Sequence, residues 1–152
     1  MPRIDVSNVE TETGSKYPSP YSNDVNGRFR QRLGNVVGLD QFGVNLTRLK
    51  PGAWSAQRHW HDNEDEFVWI LEGEVILVED KGETPLKAGD AAAFKAGVAN
   101  GHCLINRSGN DAVYLEVGTR TNVGRAEYPD IDMKAEWKDG AVRFLHKSGE
   151  AY

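Results

Sequence analysis

An all-β barrel or sandwich is the architecture this sequence predicts, and three observations point to it. Between residues 36 and 118, short apolar runs recur at intervals of roughly 8–12 residues, the rhythm of sequential strands. The segments between them, "KPGAW", "DNED", "EGE", "KAGVANG" and "RSGND", are made of turn-forming residues. Nowhere in that stretch does a helical apolar period persist long enough to rival the strands.

Taken in order, residues 1–35 read as an irregular arm lying over the core. Pro18 and Pro20 break any helix there, and Gly14, Ser15, Ser19, Ser22 and Asn23 favour turns. Strands are expected over residues 43–49, 56–61, 66–72, 74–79, 91–95, 102–106 and 112–118, with "EDKGETPLKAGD" as a long turn between the fourth and fifth. Beyond residue 118 irregular polar sequence resumes, and "EYPDIDM" and "AVRFLH" look like short extended pieces able to add to a sheet edge. At 152 residues the chain reads as one domain: an arm (1–35), a barrel core (36–118) and a C-terminal extension (119–152).

Composition narrows the function classes. A formal net charge of -5 gives no support to nucleic acid or an anionic membrane as partner. Cys103 is the only cysteine, so no intramolecular disulfide and no multi-cysteine zinc cluster can form, which suits a reducing compartment. The first twenty residues lack the apolar core of a signal peptide, and no apolar run is long enough for a membrane span, so the expected location is cytoplasmic.

The chemistry concentrates in "RHWHDNEDEFVWILEG". Side chains on a strand alternate between faces, so His59 and His61 point one way while Arg58 and Trp60 point the other. The turn "DNED" reverses the chain, and Glu66 opens the returning strand beside His61. Two imidazoles and a carboxylate therefore converge from neighbouring strands. Glu64 and Asp65, in the turn, read as solvated charge. Gly73 then supplies a tight turn where a side chain would be unwelcome. A further histidine, His102, begins a distant strand, and a barrel interior can bring such a strand to the same place. Three neutral imidazoles and one carboxylate leave open positions on a divalent transition ion, which suits Fe, Mn, Ni, Co or Zn better than Mg or Ca.

The order G-x6-H-x-H-x4-E-x6-G, from Gly52 to Gly73, resembles the first motif of the cupin superfamily. Gly89, Gly97, His102 and Asn106 resemble the second. The sequence departs from the family pattern in three places. The gap after Gly52 is six residues rather than five, Lys95 stands where proline is usual, and Asn100 stands where strict spacing would put the histidine of the second motif. The whole chain is similar to small single-domain bacterial cupins, some of which carry the label sugar-phosphate isomerase. The resemblance implies a double-stranded β-helix (jelly-roll) barrel holding one divalent transition metal on His59, His61, Glu66 and His102. It implies an enzyme acting on a small polar or anionic metabolite, with the metal as Lewis acid in isomerase, epimerase, lyase or decarboxylase chemistry. An Fe-dependent dioxygenase and a non-catalytic metal-assisted sensor are the alternatives.

Strand phase adds further candidates. Gln57 shares the phase of His59 and could bond a ligand or a metal-bound water. Tyr114 and Glu116 share one face of the strand at 112–118; if that face is the inner one, they are candidate acid/base groups. Arg58 is out of phase with the histidines, and Lys95 is the cation nearest the second motif. Trp60 and Trp69 fall on the outer face, where large aromatics suggest a homodimer contact. Trp54 could line a pocket mouth, Cys103 should be a small buried hydrophobe, and His146 matches no motif.

Overall fold

The computed structural model describes residues 3–152 and is built almost wholly of antiparallel strands. Chain order runs β1 (Thr11–Thr13), β2 (Arg28–Gln31), β3 (Phe42–Leu49), β4 (Trp60–His61), β5 (Glu66–Glu72), β6 (Glu74–Glu79) and β7 (Gly82–Lys87). It continues with β8 (Ala91–Phe94), β9 (Cys103–Ile105), β10 (Ala112–Thr119), β11 (Val123–Tyr128), β12 (Met133–Lys138) and β13 (Ala141–Leu145). Three 3-10 turns, all within the first 37 residues, are the only helical pieces among the described residues. None is long and apolar enough to cross a membrane.

The strands assemble into three sheets. A six-stranded sheet runs β1-β2-β3-β10-β5-β8, a four-stranded sheet β13-β12-β11-β4, and a three-stranded sheet β7-β6-β9. Leu49, Ile70, Val75, Leu77, Leu104 and Tyr114 form the main buried cluster between the first and third of these. Met133, Ala135, Ala126 and Tyr128 form a second, which Tyr17 of the arm and Trp137 pack against. Gly73 makes the β5–β6 turn at φ +72°, where a Cβ would stand 2.5 Å from the carbonyl oxygen of Asp111. Both the backbone and the space there exclude a side chain.

Four elements differ from the sequence reading. The strand expected at 56–61 shrinks to Trp60–His61, because Ser55 to Arg58 bend to follow the cavity wall. "GETPLK", read as turn, is β7; it contains Pro85, which an edge strand of this kind tolerates. The arm is not irregular throughout: β2 pairs with β3 in the register Arg28↔Leu49 and Arg30↔Thr47. The C-terminal extension is a full three-stranded meander, β11 to β13, that recruits β4 through Ala126↔His61. "EYPDIDM" spans the turn between β11 and β12, while "AVRFLH" holds β13.

Candidate metal centre

His59, His61 and Glu66 come together as their spacing requires. One ligating atom from each lies within 4.8 Å of the others. The Nε2 atoms of His59 and His61 are 3.1 Å apart, and His61 Nε2 is 3.5 Å from Glu66 Oε2. His102 joins through Glu66 rather than through that tight group of three: its Nε2 stands 2.9 Å from the same Oε2. Main-chain bonds in both directions between His59 and His102 fix the two residues opposite one another. Asn100, the rival for the second-motif position, points elsewhere. Its amide donates to Glu79 and its oxygen accepts from the Asp80 amide, tying down the loop.

The His59 ring is oriented by its other nitrogen. His59 Nδ1 lies 2.8 Å from the Gln57 carbonyl oxygen; a carbonyl only accepts, so Nδ1 carries the proton and Nε2 presents a lone pair. A backbone-anchored imidazole of this kind is the usual support for a metal-ligating histidine. His61 Nδ1 is 3.6 Å from Glu64 Oε2, and Glu64 is in turn held by the Thr121 amide and hydroxyl at 2.9 Å each. Glu64 is thus a half-buried neighbour of His61, beyond hydrogen-bond distance, rather than solvated charge. Aromatic rings wall the cluster: Phe94 stacks on His102 at 3.5 Å, Tyr128 on His59 at 5.6 Å, and Trp137 meets His61 edge-on at 5.6 Å.

Electrostatics suit the same conclusion. Burial presses the His59 pKa down to about 3, outweighing the attraction of Glu66, so the ring is neutral and ready to donate. Burial alone would raise the Glu66 carboxyl. The His102 hydrogen bond and the surrounding imidazoles outweigh that and hold it at about 2, so it is an anion. Three imidazoles grouped around one carboxylate, with His59 neutral, fit a divalent transition ion in donor type and number.

These groups line a cavity of about 1180 Å³. Its wall is the inner face of the six-stranded sheet. Register places Glu66, Val68 and Ile70 of β5 beside Gly118, Glu116 and Tyr114 of β10, and these beside Asn45 and Thr47 of β3. Tyr114 and Glu116 thus face the cavity. Burial lifts the Tyr114 phenol well above its ordinary pKa, and Glu116 adds to the lift. Its hydroxyl and that of Thr47, its register partner, are buried with no neighbour to bond except each other among the described residues. Glu116 is held by Asn45 Nδ2 at 2.8 Å and by Arg30 Nε at 2.7 Å.

Gln57 is not brought to the cavity. Its amide donates to the Tyr21 carbonyl at 2.9 Å and to Asp24 at 2.8 Å, fastening the arm, and only its own carbonyl serves the site. The bend at Ser55–Arg58 breaks the strand phase that would have turned it inward. Arg58 clamps Asp130 with two bonds of 2.6 Å and also meets Asp80, joining the C-terminal meander to the barrel. Asn106 is fully buried and closes the β9–β10 turn through Leu49 and Asn110. Cys103 is buried, its thiol pushed up to about 12 by burial. His146 bonds Asp132 at 2.8 Å. Sequence reasoning missed Arg28, Arg30, Phe94, Tyr128 and Trp137. The two-residue spacing of Arg28 and Arg30 in "GRFRQR" was the one signal available, since it places both on one strand face.

Residues 45–118 match the cupin-domain family. The chain is also 35% identical over 85 residues to the beta-alanine degradation protein BauB of Pseudomonas aeruginosa, covering 53% of this chain and 86% of that one. The chain belongs to the cupin superfamily. Cupins commonly bind a metal, and the His59, His61 and Glu66 cluster sits where this cupin's two motifs meet. The crystal structure of a sugar phosphate isomerase from a cupin superfamily, from Silicibacter pomeroyi, is 45% identical, with a TM-score of 0.96 over 99% of this chain and 96% of that one. The polyketide cyclase RemF of Streptomyces resistomycificus is 21% identical, with a TM-score of 0.65 over 78% of this chain and 79% of that one, a likeness of fold alone.

Proposed function

We propose that this cupin is a metal-dependent enzyme acting on a small polar metabolite, by isomerase, epimerase, lyase or decarboxylase chemistry. The observation that carries the reading is the convergence of imidazole nitrogens on an ionised Glu66 at the wall of a wide, partly polar cavity. His59, His61, Glu66 and His102 would hold the ion. A divalent metal bound there supplies Lewis-acid polarisation of a substrate carbonyl, hydroxyl or carboxylate oxygen.

The remaining work falls to the chain's own groups. Tyr114, a neutral phenol whose hydroxyl meets only that of Thr47, is the candidate hydrogen-bond donor or proton source for a substrate oxygen. Glu116, fixed by Arg30 and Asn45, presents a carboxylate of defined position on the same wall and is the candidate proton acceptor. Phe94, Tyr128 and Trp137 exclude water from the imidazoles and hold them in place. The exposed apolar outer face of the six-stranded sheet, with Phe67 and Trp69, would bury itself against a second copy, giving a homodimer.

The test is metal analysis of protein purified without chelator or a nickel column, followed by a substrate panel with the metal-loaded enzyme. Turnover of a hydroxy or keto metabolite without oxygen uptake supports the reading. Oxygen uptake by the Fe-loaded protein replaces it with a dioxygenase, and ligand binding without turnover replaces it with a sensor.

A further inference from the structure

We propose that Arg28 is the anion-recognition residue of this cavity, taking a substrate carboxylate while the other polar end of the same molecule lies at the His59–His61–Glu66 cluster. The proposal rests on the cavity's being a substrate site, and it adds a substrate class: small hydroxy or keto acids.

The case begins with how each cavity arginine is used. Arg30 is neutralised by Glu116 at 2.7 Å, and Arg32 by Glu12 at 2.8 Å. Arg120 is spent on Asn35 and the Leu39 carbonyl at the exposed rim. Arg28 is partly buried, lines the cavity and has no carboxylate partner among the described residues. Only two main-chain oxygens hold it, those of Ser55 and of Gly14, the latter at 3.2 Å. A guanidinium carries five N–H donors, so donors remain for a ligand after both tethers are made.

A cation withdrawn from water without a counterion is costly, and burial indeed lowers the Arg28 pKa, with its neighbour Arg30 adding to the effect. Such a charge is a place prepared for an anion. Its surroundings agree. The register Arg28↔Leu49 and Arg30↔Thr47 sets Arg28 one inward position along β2 from Arg30, whose register partner Thr47 is in turn paired with Tyr114. The hydroxyls of Thr47 and Tyr114 are buried there with no partner except each other among the described residues. A guanidinium fork suits the two oxygens of a carboxylate. One unpaired cation, with the Glu116 carboxylate on the same wall, matches a single negative charge better than the nearly double charge of a phosphate monoester.

The experiment uses the full chain stripped of metal by chelator, so that binding at Arg28 is read apart from the metal centre. Calorimetry compares 4-hydroxybutyrate, its neutral counterpart butane-1,4-diol and glycerol 3-phosphate on wild type, R28Q and R28K. Wild type is expected to bind the carboxylate about tenfold or more tighter than the diol, as a charge-assisted bidentate contact requires. R28Q should abolish that margin, and R28K should lose about threefold or more because it keeps charge without the fork. A margin that survives in folded R28Q overturns the proposal, as does glycerol 3-phosphate binding more tightly than the carboxylate. Should R28Q fail to fold, R28K decides, and an unchanged margin there is fatal. Metal content measured before chelation keeps the two readings separate: retained in R28Q and lost in H59A, it leaves the metal centre standing whatever Arg28 does.

Discussion

The two faces of the six-stranded sheet invert the usual expectation. The inner face carries Arg28, Arg30, Asn45, Thr47, Tyr114 and Glu116, while the outer face carries Phe67 at 39% exposure and Trp69 at 46%. A packed barrel would place apolar residues inside. This one does so only where the three-stranded sheet closes on it, around Leu49, Ile70 and Leu104. Elsewhere polar groups line a cavity, and apolar groups are exposed on the outer face. Strand alternation therefore says which residues share a face, but not which face is interior. Chemistry along the wall decides that.

The inner face breaks most completely at the histidine cluster. Replacing His59 or Glu66 by alanine is expected to reduce bound metal to background, read by elemental analysis. Removing one of a small ligand set forfeits both a bond and the geometry that the rest maintain. Retained metal in both variants would move the centre elsewhere. The fold should survive either change, because neither residue belongs to the buried apolar clusters.

One step down, Tyr114→Phe separates chemistry from packing. The buried Tyr114 hydroxyl meets only that of Thr47, so its removal should change stability by no more than about 1 kcal/mol. Turnover on a substrate found in the panel should fall by about a hundredfold, the ordinary scale of a lost proton donor. An unchanged turnover number would assign Tyr114 to the wall alone.

Smaller again is Glu116→Gln, which leaves Arg30 facing a neutral amide. The pair is about 20% exposed on each side, so the loss is expected at roughly 1–3 kcal/mol, less than for a fully buried ion pair. Denaturant melts of the variant read it directly. A change below about 0.5 kcal/mol, the surface-pair range, would mean that solvent already screens this wall.

Much of this was legible in the chain itself, for reasons that differ by region. The β4–β5 hairpin could be read because the two-residue strand period puts His59 and His61 on one face, the turn returns Glu66 beside them, and Gly73 fits the next tight turn. His102 could be read because Asn106, four residues on, closes the following turn. Arg28 and Arg30 were hidden because "RFRQ" has one apolar residue in four, and its strand character comes from pairing with β3. β7 was hidden by Pro85 in the same way. The meander β11 to β13 was read only as edge pieces, since two of the four residues of its buried cluster, Ala126 and Ala135, are small and stand among charged neighbours. Gln57 was assigned inward by a phase that the bend at Ser55 destroys. Local pattern carried what a single hairpin determines, and tertiary pairing carried the rest.

The outer face offers the gentlest test. Trp69→Glu places a charge in the middle of the exposed apolar strip formed by Phe67, Trp69 and Leu71. If two copies pair through this strip, light scattering should show a dimer for wild type and a monomer for the variant, since a charge at the centre of an apolar contact is left without a counterion. The stability of the isolated chain should change by no more than about 0.5 kcal/mol, the usual limit for a solvent-facing substitution. Metal content should not change, because Trp69 and the imidazoles stand on opposite faces of the sheet. A wild type that is monomeric at every concentration tested would end the dimer reading and leave the apolar strip to some other partner. A variant that loses metal would show instead that the two faces are mechanically coupled through β5, whose inner residue Glu66 lies three positions before Trp69.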